Sequence, residues 1–123
     1  MIVVVITGSR HWTDRAAMRR VLEGWPPGSV VIHGAQRGAD RIAGEIAKSL
    51  GYEVEPYPAA WVPGDGGPER NARMIARLKE YRAQGRRCFV VAFPLPGGRG
   101  TRNCVRQARE AGFPILLPLW RRR

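Results

Sequence analysis

Residues 1–10 read MIVVVITGSR, and residues 88–101 read CFVVAFPLPGGRGT. Each is an apolar run that stops at a loop carrying both glycine and arginine. Val3 to Ile6 is continuously β-branched, with no polar alternation, which is the pattern of a strand buried on both faces in a parallel sheet. Cys88 to Phe93 reads as a second such strand. Between and after these runs the chain alternates strand and helix. Thr13 can cap a first helix striped by Met18, Val21, Leu22 and Trp25, which the Trp25-Pro26-Pro27-Gly28 turn ends. Val30 to Ile32 forms a strand. A second helix carries Ile42, Ala43, Ile46, Ala47 and Leu50 and closes at Gly51. Glu53 to Tyr57 is a weaker strand near a sheet edge. A Gly- and Pro-rich loop, Ala59 to Pro68, leads to a third helix with Met74, Ile75, Leu78 and Tyr81. Thr101, Cys104, Val105, Ala108 and Ala111 stripe the last helix, closed by Gly112, and Pro114 to Leu119 is the last strand.

This alternation predicts one α/β domain over residues 1–123, with a five-stranded parallel sheet in the order 3-2-1-4-5 and helices on both faces. In that order the chain reverses direction between strands 1 and 4, and ligands of such sheets bind at the carboxyl ends of the strands flanking the reversal. The two loops expected there are Gly8-Ser9-Arg10 and Pro96-Gly97-Gly98-Arg99-Gly100-Thr101. Glycines let backbone N–H groups approach an anion, a helix N-terminus adds unpaired donors, and arginine binds phosphate through two parallel bonds. Those residues are the candidate phosphate cradle. The alternative is that the glycines only make turns and Thr101 only caps its helix.

Further candidates surround the crevice. His33-Gly34-Ala35-Gln36-Arg37-Gly38-Ala39-Asp40 follows strand 2, where Gly34 and Gly38 again permit close approach. Asp40 either complements the helix dipole or touches a ligand's ribose or base. His33 is either a polar contact or a histidine hydrogen-bonded at a strand end. Arg70 is an anion candidate, and Asn71, on the stripe that meets the sheet, either ties down a loop or touches ligand. Trp12 and Trp61 are the aromatics placed to stack on a base.

Composition narrows the class. Hydrophobic residues make up 44% of the chain, enough for a core without disulfides, so Cys88 and Cys104 read as reduced thiols in a cytoplasmic protein. The opening apolar run is far shorter than a membrane helix and lacks the features of a signal peptide, so no membrane association is expected. No spacing suggests a metal site and no cofactor is called for. No carboxylate pair has acid–base spacing, and no nucleophile is visibly activated. The net charge of +11 suggests an anionic partner without naming it, and arginine-rich solvated faces account for it equally well.

The segments ITGSRHWTD, HGAQRGADRIA, GPERNARMI and AFPLPGGRGTRNCVRQAREAG, taken together and in order, resemble the SLOG superfamily, in particular its small stand-alone branch related to YspA and YpsA. The resemblance implies a Rossmann-like fold that binds nucleotides or nucleotide-derived ligands, with a sensor role among the expectations. The same superfamily holds the lonely guy phosphoribohydrolases, whose PGGxGT motif is followed, after two residues, by a catalytic glutamate. Here that position is Cys104, so the same hydrolysis is not expected. It also holds the DNA-processing protein A family, which binds single-stranded DNA. Three functions therefore stand open: a nucleotide-binding module, a nucleotide hydrolase using Glu69 or Asp40, and a weak single-stranded nucleic-acid binder. Relatives often pair through helices, which leaves a homodimer open.

Overall fold

A computed structural model describes residues 1–60 and 66–118. Trp61 and Asp65, Leu119, and the tail Arg121 to Arg123 lie outside the described residues. Strand β1 (Ile2–Gly8) is the centre of a five-stranded parallel sheet. It pairs on one side with β2 (Val30–His33), where Val4 meets Val31, and on the other with β4 (Arg87–Phe93), where Val4 meets Phe89. Strand β3 (Glu53–Pro56) and strand β5 (Ile115–Leu116) form the edges. The order is β3-β2-β1-β4-β5, as the alternation predicted.

Because successive strand residues point to opposite faces, β1 feeds two cores. Ile2, Val4 and Ile6 pack with Met18 and Leu22 of α1 (Arg15–Leu22) and with Ala43 and Ala47 of α2 (Ala39–Ser49). Val3 and Val5 pack on the other face with Met74 and Leu78 of α3 (Gly67–Ala83) and with Cys104 and Ala108 of α4 (Arg99–Glu110). Both layers are fully buried, which is why the strand needs no polar alternation.

Three local expectations are corrected. Asp14, not Thr13, caps α1: its Oδ1 accepts from the Ala17 N–H at 2.9 Å. The helix ends at Leu22, so Trp25 is not part of its stripe and instead packs against Tyr52 and Phe89 beyond the helix end. The last strand is Ile115–Leu116 rather than the span from Pro114, because among the described residues only Ile115 and Leu116 find ladder partners in β4.

Candidate functional site

At the carboxyl ends of β1 and β4 the chain leaves a cavity of about 460 Å³. It is lined by Gly8, Ser9, Arg10, Pro96, Gly97, Gly98, Arg99, Gly100 and Thr101, with His11 and Gln36 completing the wall. The two loops singled out in the sequence therefore meet across the strand reversal.

The glycines divide by what demands them. A Cβ on Gly8 would sit 2.6 Å from Ala39 Cβ and 2.7 Å from the Phe93 carbonyl, so helix–sheet packing excludes any side chain there. Gly38 has φ +82°, and a Cβ would strike the Arg10 backbone at 2.4 Å. Gly97 has φ +87°, a conformation that L side chains rarely adopt. Gly98 and Gly100 are different. A Cβ on Gly98 would make only ordinary contacts, from 3.5 Å, and one on Gly100 would meet nothing within 4 Å. Neither turn geometry nor packing requires glycine at these two positions, and both face the cavity.

The two helix ends at the crevice also differ. In α2 the Ala39 N–H donates to Ser9 O at 3.0 Å and the Arg41 N–H to Gln36 O at 3.1 Å, so protein groups close that end. Helix α4 has no side-chain cap, and its first bond from the loop is the Arg102 N–H to Gly98 O at 3.2 Å. The N–H groups of Arg99, Gly100 and Thr101 find no acceptor among the described residues. They border the cavity at the positive end of a helix dipole.

Ser9 is buried, and its Oγ accepts from the His11 N–H at 3.0 Å while its carbonyl holds Ala39. Ser9 thus shapes the cavity floor as well as lining it.

Several sequence candidates lie beneath the cavity rather than on it. Arg70 is 3% exposed; its Nη1 donates to Gly34 O at 2.5 Å and its Nε to Asn71 Oδ1 at 2.9 Å. A buried guanidinium so engaged is a brace, not the anion ligand expected of it. Gly34 is glycine because a Cβ would lie 2.4 Å from Arg70 Nη1. Asn71 ties α3 to the start of α4 rather than to a loop: its Nδ2 donates to Gly100 O at 3.3 Å and to Asn103 Oδ1 at 3.1 Å. Asp40 turns inward, and its Oδ2 accepts from the Gly34 N–H at 3.0 Å. Burial pushes its carboxyl up to about 6, although Arg70 and the N–H groups of Gly34 and Gln36 pull the other way.

His33 is the strand-end histidine of the plainer alternative. Its Nδ1 accepts from the Ala35 N–H at 2.9 Å, which requires an unprotonated Nδ1. Burial, and secondarily Arg70, lowers its pKa to about 4. Gly44 makes room for the ring, since a Cβ there would lie 2.7 Å from Nε2. Trp12 is also corrected. It is 2% exposed and packs edge-on against Phe93, with ring centroids 5.2 Å apart, so its faces are not open for a base to stack on. Cys104 is fully buried and its thiol is pushed up to about 12, chiefly by burial, so it is no thiolate nucleophile at neutral pH.

A second cavity, of about 350 Å³, adjoins the first over β2 and β3 and shares Arg10 and Gln36 with it. Gly34, Ala35, Arg37 and Arg41 form much of its wall. Gln36, Arg37 and Arg41 had no assigned role in the sequence reading. The signal was present, since Gln36 and Arg37 sit between Gly34 and Gly38 in the loop already singled out. No cluster of three or more His, Cys, Asp or Glu residues able to hold a metal occurs among the described residues, and no described helix is long and apolar enough to cross a membrane.

A parallel sheet reversed at β1 and β4, with glycine loops over that reversal, defines a Rossmann-like α/β domain. Within that class the chain belongs to the YspA, cpYpsA-related SLOG family, whose model matches residues 2–64. It is 39% identical over 122 residues to the Gene 61 protein of Mycobacterium phage D29, covering 92% of this chain and 93% of that one. The fold is shared with DNA processing protein A from Streptococcus pneumoniae, at a TM-score of 0.55 and 15% identity. That likeness covers 94% of this chain and 58% of the other.

Proposed function

We propose that the cavity over β1 and β4 binds the phosphate of a nucleotide or nucleotide-derived ligand, and that the protein acts as a binding module of the sensor type. The observation that carries this reading is the open end of α4. Three backbone N–H groups lack acceptors there among the described residues, beside two glycines that neither packing nor backbone geometry requires. Arg10 and Arg99 on the walls add charge-assisted donors. Membership of the SLOG family supports the same ligand class.

Hydrolysis is the weaker reading. No carboxylate lines either cavity among the described residues, Asp40 points into the protein, and Cys104 occupies the position where the phosphoribohydrolases carry glutamate. A nucleic-acid reading has one observation in its favour: Arg99, Arg102, Arg106 and Arg109 are all exposed along one side of α4. If it holds, oligonucleotide affinity falls on a log–log plot against salt with a slope of about −0.7 per phosphate neutralised.

The test is calorimetric titration of the purified protein with the four nucleoside 5′-monophosphates, beside mass spectrometry of small molecules that co-purify with it. The expected result is saturable binding of at least one, abolished by Gly98→Val in a protein that still melts cooperatively. Binding that Gly98→Val leaves unchanged, or tight oligonucleotide binding at physiological salt with no mononucleotide binding, overturns the reading.

A further inference from the structure

The second cavity concentrates positive charge that no described carboxylate neutralises. Arg10, Arg37 and Arg41 all line its 350 Å³, and no aspartate or glutamate among the described residues does. None of the three has a carboxylate within 4 Å among the described residues, whereas exposed Arg15, Arg19 and Arg106 each pair with a glutamate. Arg41 spends its Nε on Ala35 O, at 3.3 Å, which leaves its terminal nitrogens for other acceptors. The nearest acid in sequence, Asp40, is 5% exposed and faces inward.

The loop that carries this charge is held in a fixed shape. Ala35 has φ +59°, a left-handed conformation uncommon outside glycine, asparagine and aspartate. It is kept there by its N–H bond to His33 Nδ1. Arg70 grips the Gly34 carbonyl on the same loop. Among the described residues the cavity lining is arginine, backbone and small side chains, with no aromatic ring. Its chemistry suits a compact anion, and Arg10 and Gln36 make it continuous with the first cavity.

We propose that this cavity is a second phosphate subsite, so that the ligand is a nucleotide carrying two phosphate groups set apart from each other. The inference rests on the nucleotide-binding reading and narrows its substrate class. A nucleoside 3′,5′-bisphosphate and a 5′-phosphorylated dinucleotide share this chemistry. In the first the second phosphate is terminal, and in the second it bridges two sugars.

The experiment titrates three ligand sets: the four 5′-monophosphates, the matching 3′,5′-bisphosphates, and 5′-phosphorylated dinucleotides. Wild type is compared with the double variant Arg37→Gln/Arg41→Gln, whose exposed positions leave the core intact, with melting curves confirming the fold. A doubly phosphorylated ligand is expected to bind at least ~10-fold tighter than its monophosphate, one well-placed arginine–phosphate contact accounting for such a factor. The double variant is expected to erase that advantage while changing monophosphate affinity less than about twofold. Which of the two doubly phosphorylated sets binds tighter identifies the source. Equal affinity for singly and doubly phosphorylated ligands overturns the inference, as does a double variant that weakens both alike. In either case monophosphate binding sensitive to Gly98→Val leaves the parent reading standing. If no ligand in any set binds, both fail.

Discussion

Gly100→Ala separates the needs of the fold from the needs of the cavity. Gly100 lies in the first turn of α4, its φ is not positive, and an added methyl meets no atom within 4 Å. Replacing glycine with alanine in a helix is worth about 0.5–1 kcal/mol, largely because the unfolded chain loses freedom. With no clash to offset it, the variant is expected to be more stable than wild type by that amount, raising the melting temperature by roughly 2–6 °C. The same methyl stands beside the unpaired N–H groups of Arg99, Gly100 and Thr101, where a phosphate would approach. Displacing a phosphate from even one charged hydrogen bond costs about 1.5–3 kcal/mol, so affinity should fall at least ~10-fold. Gly8→Ala is the control, because its methyl would lie 2.6 Å from Ala39 Cβ and should destabilise the fold by about 1–3 kcal/mol. Urea denaturation and calorimetry on the same preparations read both quantities. A Gly100→Ala protein that is less stable, or that binds nucleotide as wild type does, refutes the claim that this glycine serves the ligand rather than the fold.

Asn71→Ala removes the bonds to Gly100 O and Asn103 Oδ1 and leaves the Arg70 Nε without its acceptor, so urea denaturation should show a loss of about 2–3 kcal/mol. The pH dependence of stability should be shallow in wild type between about 4 and 6, because two buried groups oppose each other. Asp40, raised from 3.8 to about 6, binds its proton more tightly in the folded state, so its contribution falls as pH rises through that window. His33, lowered from 6.5 to about 4, binds its proton less tightly when folded, so its contribution rises with pH between about 4 and 6.5. In Asp40→Asn, stability should therefore rise with pH by on the order of 2–3 kcal/mol across that range, measured by urea midpoints; a flat profile in the variant contradicts the assignment. Cys104, fully buried with its thiol pushed up to about 12, should react with iodoacetamide at pH 8 no faster than the protein unfolds, as followed by mass spectrometry.

The topology was legible because its signals are local and redundant. An unbroken β-branched run from Val3 to Ile6 marks the central strand, and each glycine loop falls at a strand's carboxyl end. The position of Gly97 to Thr101 at the cavity over the strand reversal followed from the same logic. What could not be read was the direction in which polar and aromatic side chains turn. Arginine is rarely buried, so Arg70 beside a loop reads as a surface anion ligand. Its actual partner is a carbonyl 36 residues away, reached only because Gly34 lacks a Cβ. Trp12 sits in the expected loop, but burying its large ring against Phe93 removes more apolar surface from water than leaving it exposed to stack. The two-residue β5 was over-read because an apolar stretch at the edge of a sheet carries the same composition whether or not it finds ladder partners.

Arg70 and Asn71 are consecutive residues at the start of α3, yet they reach in opposite directions. Arg70 holds the Gly34 carbonyl on the rim of one cavity, and Asn71 holds the Gly100 carbonyl on the rim of the other. The Arg70 Nε bond to Asn71 Oδ1 locks the two side chains together. One turn of helix is thus a crossbar between two cavity rims contributed by chain segments 66 residues apart. The rims of the two proposed subsites are joined by a continuous chain of hydrogen bonds, buried at Arg70 and part-buried at Asn71. Thermodynamic reciprocity then requires that whatever the first occupant does to the second subsite, the second does equally to the first. The element that joins the two proposed subsites is accordingly α3, which lines neither cavity.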